Sequence, residues 1–460
     1  MLNAFDSAER SLIGDIYTSA TLWPTIRTLC DDFNGRFVGS VDADNAAAYI
    51  AETLKRYGLD DVHIEYFPVH GWQRGPTKLV AGGHVLDCIG LPGTPPCNLD
   101  APIINIGQGE PADFARVGTA AKGKIALVHG VGSHRLEKYF RAVKAGCVGF
   151  IFGGAELGCL PPTGSIEFGG ASAPIPGVGV SHETLLRLTR MGDGYSSIVG
   201  QAQLQVKAKH FKGKGFNVIS DILPMAIAPA GNPPPPMLML CAHYDGHDIA
   251  QGAVDNASGT TAVMEAARAL MQVRDQLNIG IRVALWSGEE TGMNGSTAYA
   301  EAHQVELKQI KFVFNCDIVS NPGGLWLGVN GVDTDRLARF LHDLSEMQVH
   351  ALQISGNEVI VPYSDHFPFY LKGVPALMAA TPHGDPKHHG MGPHTYGDTL
   401  DKVDVHGLRT STAFVARTLL HLAHDPKPLP ARHATKKEVQ ASLRAANYEP
   451  LLKAQGRWRF

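Results

Sequence analysis

The stretch MLMLCAHYDGHD, residues 237–248, runs from an unbroken apolar segment, Met237–Cys241, straight into a cluster of possible metal ligands. A run this short and this apolar reads as a strand buried on both faces, as in a parallel sheet covered by helices. Two later runs repeat the design: Ile281–Trp286 leads into SGEETG, and Lys311–Cys316 leads into DIV. Helical spacing of apolar residues covers Ser258–Val273, Val332–Met347 and Leu408–Ala423. Strand–helix alternation of this kind predicts an α/β fold. In open sheets of that class, ligands bind beyond the carboxyl ends of the strands, where these clusters fall.

Outward from this core the pattern changes. Leu22–Phe33 and Asp42–Tyr57 read as helices, the second stopped by Gly58, and Val62–Phe67 alternates as a strand. From about Gly71 to Gln203 the chain turns to short β-rich runs punctuated by Gly and Pro, among them Ile125–Val128 and Val148–Phe152. The expected division is an N-terminal part of the catalytic domain (1–72), an inserted β-rich domain (73–205), the main catalytic segment (206–425) and a tail (426–460). That tail carries eight Lys or Arg against two Glu. It reads as a loose terminus, with a docking arm as the alternative.

With 460 residues, 44% of them hydrophobic and 18% charged, the chain can bury more than one core. Its 40 basic and 44 acidic residues leave a net charge of −4, which excludes a bulk electrostatic footprint for nucleic acid. Seven cysteines, an odd number without CxxC spacing, are expected to be reduced and mostly buried. The opening MLNAFDSAERSLIGDIY has acidic residues where a signal peptide has basic ones, and no stretch approaches the ~20 apolar residues of a membrane span. The expected compartment is the cytoplasm, or the exterior if a leader has been trimmed, with no membrane partner.

Five residues at strand ends or helix starts supply two imidazoles and three carboxylates: His243, Asp255 in GAVDNASG, Glu290, Asp317, and His394 in GPHTYGDTLD. This mixture suits two divalent ions, since one carboxylate can bridge while each ion keeps a His and a further carboxylate. The assignment is Asp255 bridging, His243 and Asp317 on one ion, Glu290 and His394 on the other. Zinc suits such N/O donors, with cobalt or manganese possible on the same ligands. Glu289, adjacent to Glu290 but pointing elsewhere, is the expected general base toward a shared water, and Asp245 is expected to accept the free ring N–H of His243. Asp398 is expected to orient the loop bearing His394. His247, Asp248, His383, His388 and His389 read as solvated loop residues, and Cys241 and Cys316 as core.

The sequence resembles the co-catalytic di-zinc exopeptidases that include bacterial leucyl aminopeptidase, aminopeptidase Y and glutamate carboxypeptidase. The resemblance is carried by HYD at 243–245, DNASG at 255–259, SGEETGMNGS at 287–296, CD at 316–317, SDHFPF at 364–369 and HTYGDTLD at 394–401, with GRFVGSVDADNAAAYIAETLKRYGL at 35–59. It implies the mixed sheet between helices and leaves the ligand assignment unchanged. The stretch at 123–154, followed by IPGVGVS, resembles a protease-associated domain, with the implied role of a lid or substrate-side wall. The deacylases related to carboxypeptidase G share the ligand types but insert a domain after the EE motif, whereas here the insertion precedes HYD. In several family members a Tyr upstream of the SDH motif donates to the oxyanion; Tyr363 stands at a different offset and is a candidate for substrate contact.

The implied function is a zinc-dependent exopeptidase acting on a peptide substrate through a metal-bridging water, an aminopeptidase first. A carboxypeptidase or dipeptidase is the alternative, needing a cation for the terminal carboxylate, for which Lys387, Arg135 and Lys372 are nominees. A one-metal glutaminyl cyclase and a ligand-depleted receptor are disfavoured by the full five-ligand set with Glu289. A homodimer is the oligomeric option.

Overall fold

A computed structural model describes residues 3–460 apart from 168–170, 193–196, 226–235, 321–323, 346–351, 357–358, 383–391, 426, 428, 430 and 431. One eight-stranded mixed sheet runs in the order Asp60–Gln73, Lys209–Ile222, Gly280–Trp286, Met237–His243, Ile310–Cys316, Ala376–Ala380, Leu325–Asn330, Leu352–Ser355. Its four central strands, from Gly280–Trp286 to Ala376–Ala380, are parallel. Successive side chains of a strand face opposite sides, and both sides here are apolar. Leu238, Leu240 and Ala242 join the larger core, under the helices Val41–Arg56, Ser258–Gln272 and Val405–His424. Met237, Met239 and Cys241 join Trp286, Tyr299 and Phe369 on the other face, under Asn294–Ala302 and His366–Leu371. Burial on both faces is why these strands read as continuous apolar runs rather than alternating ones.

The long strands Asp60–Gln73 and Lys209–Ile222 pair antiparallel and form a ribbon between the catalytic sheet and the insertion. Beyond the ribbon lies a second eight-stranded sheet, with strands from Thr77–Ala81 to Ile198–Val206 and helices Pro111–Val117, Arg135–Lys144 and His182–Met191. It has cores of its own, centred on Leu79, Ile103 and Leu204 and on Ile106, Tyr139 and Phe150. All seven cysteines are free. Cys241 and Cys316 are buried in opposite faces of the sheet. Among the described residues no helix is long and apolar enough to cross a membrane.

Two readings are corrected. A first helix, Ala4–Thr18, capped by the Asn3 side chain, precedes those predicted. The tail is not loose: Lys436–Ala445 and Glu449–Ala454 are helices, and Val439, Leu443 and Leu452 share an apolar cluster with Met293, Ile360, Phe367 and Tyr370 of the catalytic domain. Its basic residues mask that apolar stripe in the composition.

One buried cation ties the ligand-bearing loops together. The Arg36 side chain, 1% exposed, donates to the carbonyls of Tyr244 at 2.6 Å, Leu29 at 2.7 Å, and Gln251 and Gly252 at 2.8 Å. The Arg36→Met variant is expected to lose about 3–5 kcal/mol of stability, because those carbonyls are left buried without a donor. Urea unfolding of the metal-free protein checks this, and a loss below about 1 kcal/mol would refute the clamp.

Candidate active site

His243, Asp255, Glu290, Asp317 and His394 converge beyond the ends of the central strands. His243 Nε2 lies 3.4 Å from both Asp255 Oδ1 and Asp317 Oδ1. His394 Nε2 lies 3.1 Å from Asp255 Oδ2 and 3.4 Å from Glu290 Oε2. Asp255 thus presents one oxygen to each imidazole. Two groups of ligand atoms result, His243–Asp255–Asp317 and His247–Glu290–His394, each with its atoms within 4.8 Å of one another.

His247 is the residue that the sequence reading missed. It is 4% exposed rather than solvated, and its Nε2 lies 2.8 Å from Glu290 Oε2. The ring packs edge-on to His394, centroids 4.6 Å apart, and stacks on Phe37. Its placement depends on Gly35, where an added Cβ would stand 2.0 Å from the His247 carbonyl oxygen. Asp248 is exposed, as expected, and its carboxylate accepts from Arg74 Nη2 at 2.6 Å and Nε at 2.8 Å.

Supporting groups set these positions. The Asp245 carboxylate, fully buried, accepts the backbone N–H of Glu289 at 3.2 Å and of Glu290 at 3.3 Å. Toward His243, the Asp245 carbonyl stands 3.0 Å from Nδ1 and the carboxylate Oδ1 3.6 Å from the same nitrogen. Asp245 therefore shapes the turn that carries both glutamates. Asp398 accepts from the N–H groups of Val254 at 2.7 Å and Asp255 at 3.2 Å, so it orients Asp255 as well as belonging to the loop of His394. Ser364 Oγ donates to Asp317 Oδ2 at 2.6 Å. From the inserted domain, the Thr163 N–H donates to the His394 carbonyl at 2.7 Å.

Burial pushes the Glu289 carboxyl well above the usual carboxylate range, with Asp365, Asp317 and Glu290 adding to the rise against the opposing pull of His243. Burial also raises Glu290, beside Asp255. Burial opposes charge on Asp255, yet His243 and His394 outweigh it and hold the carboxyl far down. Excess carboxylate packed together at low exposure is stable only with compensating positive charge. His247 Nδ1 and Glu290 Oε1 are buried with no hydrogen-bond partner among the described residues, and His247 Nε2 faces Glu290 Oε2 without hydrogen-bond geometry. Unsatisfied N and O donors of this kind, converging with four further ligand-type side chains, fit divalent ions of the zinc type.

A cavity of about 1630 Å³ opens onto these groups, lined by Asp255, Glu289, Glu290, Asp317 and His394, by His134 and Arg135 of the inserted domain, and by Arg457 of the tail. Glu289 is half-buried in its wall. Tyr363 is also in the wall, but it stacks on His134 at 3.8 Å and its hydroxyl donates to Glu137 Oε1 at 2.8 Å. Its proton is thus committed to the inserted domain, which corrects the expectation of a substrate donor. Of the cations nominated for a substrate carboxylate, Arg135 lines the cavity, Lys372 does not, and Lys387 lies outside the described residues, as do His383, His388 and His389.

Residues 223–419 match the model of peptidase family M28, and residues 91–188 match the PA domain. The chain is 28% identical over 393 residues to aminopeptidase YwaD of Bacillus subtilis (strain 168), covering 83% of this chain and 80% of that protein. It is 25% identical over 306 residues to carboxypeptidase Q of Bos taurus, covering 63% of each, so it spans less than two thirds of that relative. Among solved structures, BSAP, a zinc aminopeptidase from Bacillus subtilis, superposes with a TM-score of 0.67 at 25% identity, covering 89% of this chain and 97% of that one. A peptidase M28 precursor from Shewanella amazonensis SB2B shares the fold with a TM-score of 0.76 at 21% identity, covering 93% and 100%. The chain is a metallopeptidase whose segment 223–419 is that of peptidase family M28, with the PA-domain match lying within the insertion.

Proposed function

We propose that the protein is a two-zinc aminopeptidase that removes N-terminal residues from peptides. The observation that carries this reading is the pair of adjacent ligand groups, with Asp255 presenting one oxygen to an imidazole of each and Glu289 beside them in the cavity wall. His243, Asp255 and Asp317 would hold one ion; Asp255, Glu290, His394 and, beyond the five residues expected, His247 would hold the other. Zinc bound there supplies Lewis acidity toward the scissile carbonyl and the attacking water. Glu289, whose carboxyl is raised by burial, takes a proton from the water and returns it to the departing amine. Asp245 holds the Glu289 backbone so that the carboxylate faces the cavity while Glu290 turns to the ligands. The relatives named for aminopeptidase activity support removal from the amino end, and carboxypeptidase Q marks the carboxypeptidase alternative.

The test is a peptide panel, each sequence offered with a free and with an acetylated N-terminus, incubated with zinc-supplemented protein and read by mass spectrometry. Stepwise loss of single N-terminal residues from the free set alone is the expected result. Shortening of the acetylated set from its other end overturns it in favour of a carboxypeptidase. For His247→Ala, plasma emission spectrometry of protein desalted after zinc loading is expected to show about one ion retained per chain instead of two, as removal of an imidazole ligand weakens one site. Full retention of both ions would return His247 to a packing role.

A further inference from the structure

Four long cationic side chains line the cavity: Arg135, Lys402, Arg457 and Arg459. Two of them are paired locally, Lys402 with Asp401 and Arg459 with Glu301. Arg135 and Arg457 form no ion pair among the described residues. Arg135, 9% exposed, donates from Nε to Ser165 O and from Nη1 to Thr163 O, both at 3.2 Å, while its Nη2 makes no hydrogen bond among the described residues. Among the described residues the Arg457 guanidinium makes only long contacts, from Nη1 to Pro362 O at 3.3 Å and Gln455 Oε1 at 3.5 Å and from Nη2 to Met293 Sδ at 3.6 Å, and it lies 5.0 Å over the Phe367 ring.

The two arginines come from opposite ends of the chain yet meet on one segment. His134, next to Arg135, stacks on Tyr363, and Arg457 donates to the carbonyl of Pro362. The acidic side chains there have other tasks. Glu137 receives Tyr363 and Arg141. Glu167 lines the same cavity but is driven up to about 8 by burial, and it makes no ion pair with Arg135. Glu289 and Glu290, whose charges favour the protonated Arg135, belong to the proton and metal chemistry of the site. A guanidinium withdrawn from water without a counter-ion is unfavourable, and its planar fork is matched by a carboxylate.

We propose that Arg135 and Arg457 form an anion subsite that takes a carboxylate of the peptide substrate, so that this metallopeptidase selects short peptides whose free C-terminus or acidic side chain reaches the pair. The proposal rests on the peptidase reading of the same cavity and adds the substrate class. Two parts of the chain outside the catalytic core, the PA domain and the tail, would then set specificity.

The test measures binding by calorimetry to zinc-loaded full-length protein bearing Glu289→Gln, which holds substrate without turnover. The probes are Leu-Ala, Leu-Ala amide and Leu-Glu amide. Leu-Ala is expected to bind at least about 30-fold more tightly than its amide. Adding Arg457→Gln should reduce that ratio to below about 5, while Arg457→Lys keeps an intermediate ratio, since a point charge replaces the fork. Tight binding of Leu-Glu amide would identify an acidic side chain as the recognised group; weak binding would identify the C-terminus. Binding of all three probes within threefold of one another overturns the proposal. So does a ratio unmoved by both Arg457→Gln and Arg135→Gln, and the second variant decides if the first fails to melt cooperatively. Turnover by the otherwise unaltered zinc-loaded protein is assayed in parallel. If it cleaves none of these peptides, the peptidase reading fails, while the binding ratio still judges the subsite.

Discussion

Replacing Glu289 by Gln is expected to lower kcat by about 10³- to 10⁴-fold while both metal ions stay bound. The amide fills the same volume and still receives backbone support from Asp245, but it can neither accept nor return a proton. Its neighbours argue for this separation: the backbone of Glu289 is tied at 3.2 Å to Asp245, whereas its side chain belongs to neither group of ligand atoms. Parallel measurements of zinc content and steady-state turnover check it. Near-full activity would remove Glu289 from the mechanism; loss of metal together with activity would make it a ligand instead.

The second large effect is expected at Asp255. Its two oxygens stand 3.4 Å from His243 and 3.1 Å from His394, so it is the one carboxylate placed to serve both ligand groups. Asp255→Ala should leave the protein with less than one zinc per chain after desalting and with no measurable turnover, because both sites lose a donor at once. Asp398→Ala provides the contrast. Among the described residues, that carboxylate accepts hydrogen bonds from the backbone N–H groups of Val254 and Asp255. Its removal should weaken metal binding about 10- to 100-fold, the usual consequence of losing a group that orients a ligand. Equal effects from the two variants would mean that Asp255 acts through loop structure alone.

Much of this site is visible in the linear sequence because parallel strands buried on both faces are apolar throughout, and their ends are marked by the abrupt change at His243, Ser287 and Asp317. The five ligand types can be picked out for the same reason. His247 could not be, since its burial depends on Gly35 and Phe37 approaching from more than 200 residues away in sequence. Asp245 carried a local signal, two residues from His243, but the signal pointed to the ring rather than to the backbone of residues 289 and 290. The tail misled because charge dominates its composition, while the stripe of Val439, Leu443 and Leu452 acquires meaning only against Phe367 and Tyr370. Tyr363 was judged by its offset from a motif, which carries no information about Glu137 in a different domain.

The walls of the cavity have an order in time as well as in space. Every ligand from His243 to His394 leaves the ribosome before Arg457 does, and at the usual pace of synthesis the interval is roughly 3–13 s. During that interval the metal-binding groups and the PA domain can already be in place while the side formed by the tail helices is still open. A newly made molecule therefore passes through a stage in which its reactive centre is a groove and not a chamber. That wall closes later, by docking of the apolar stripe that also brings in Arg457.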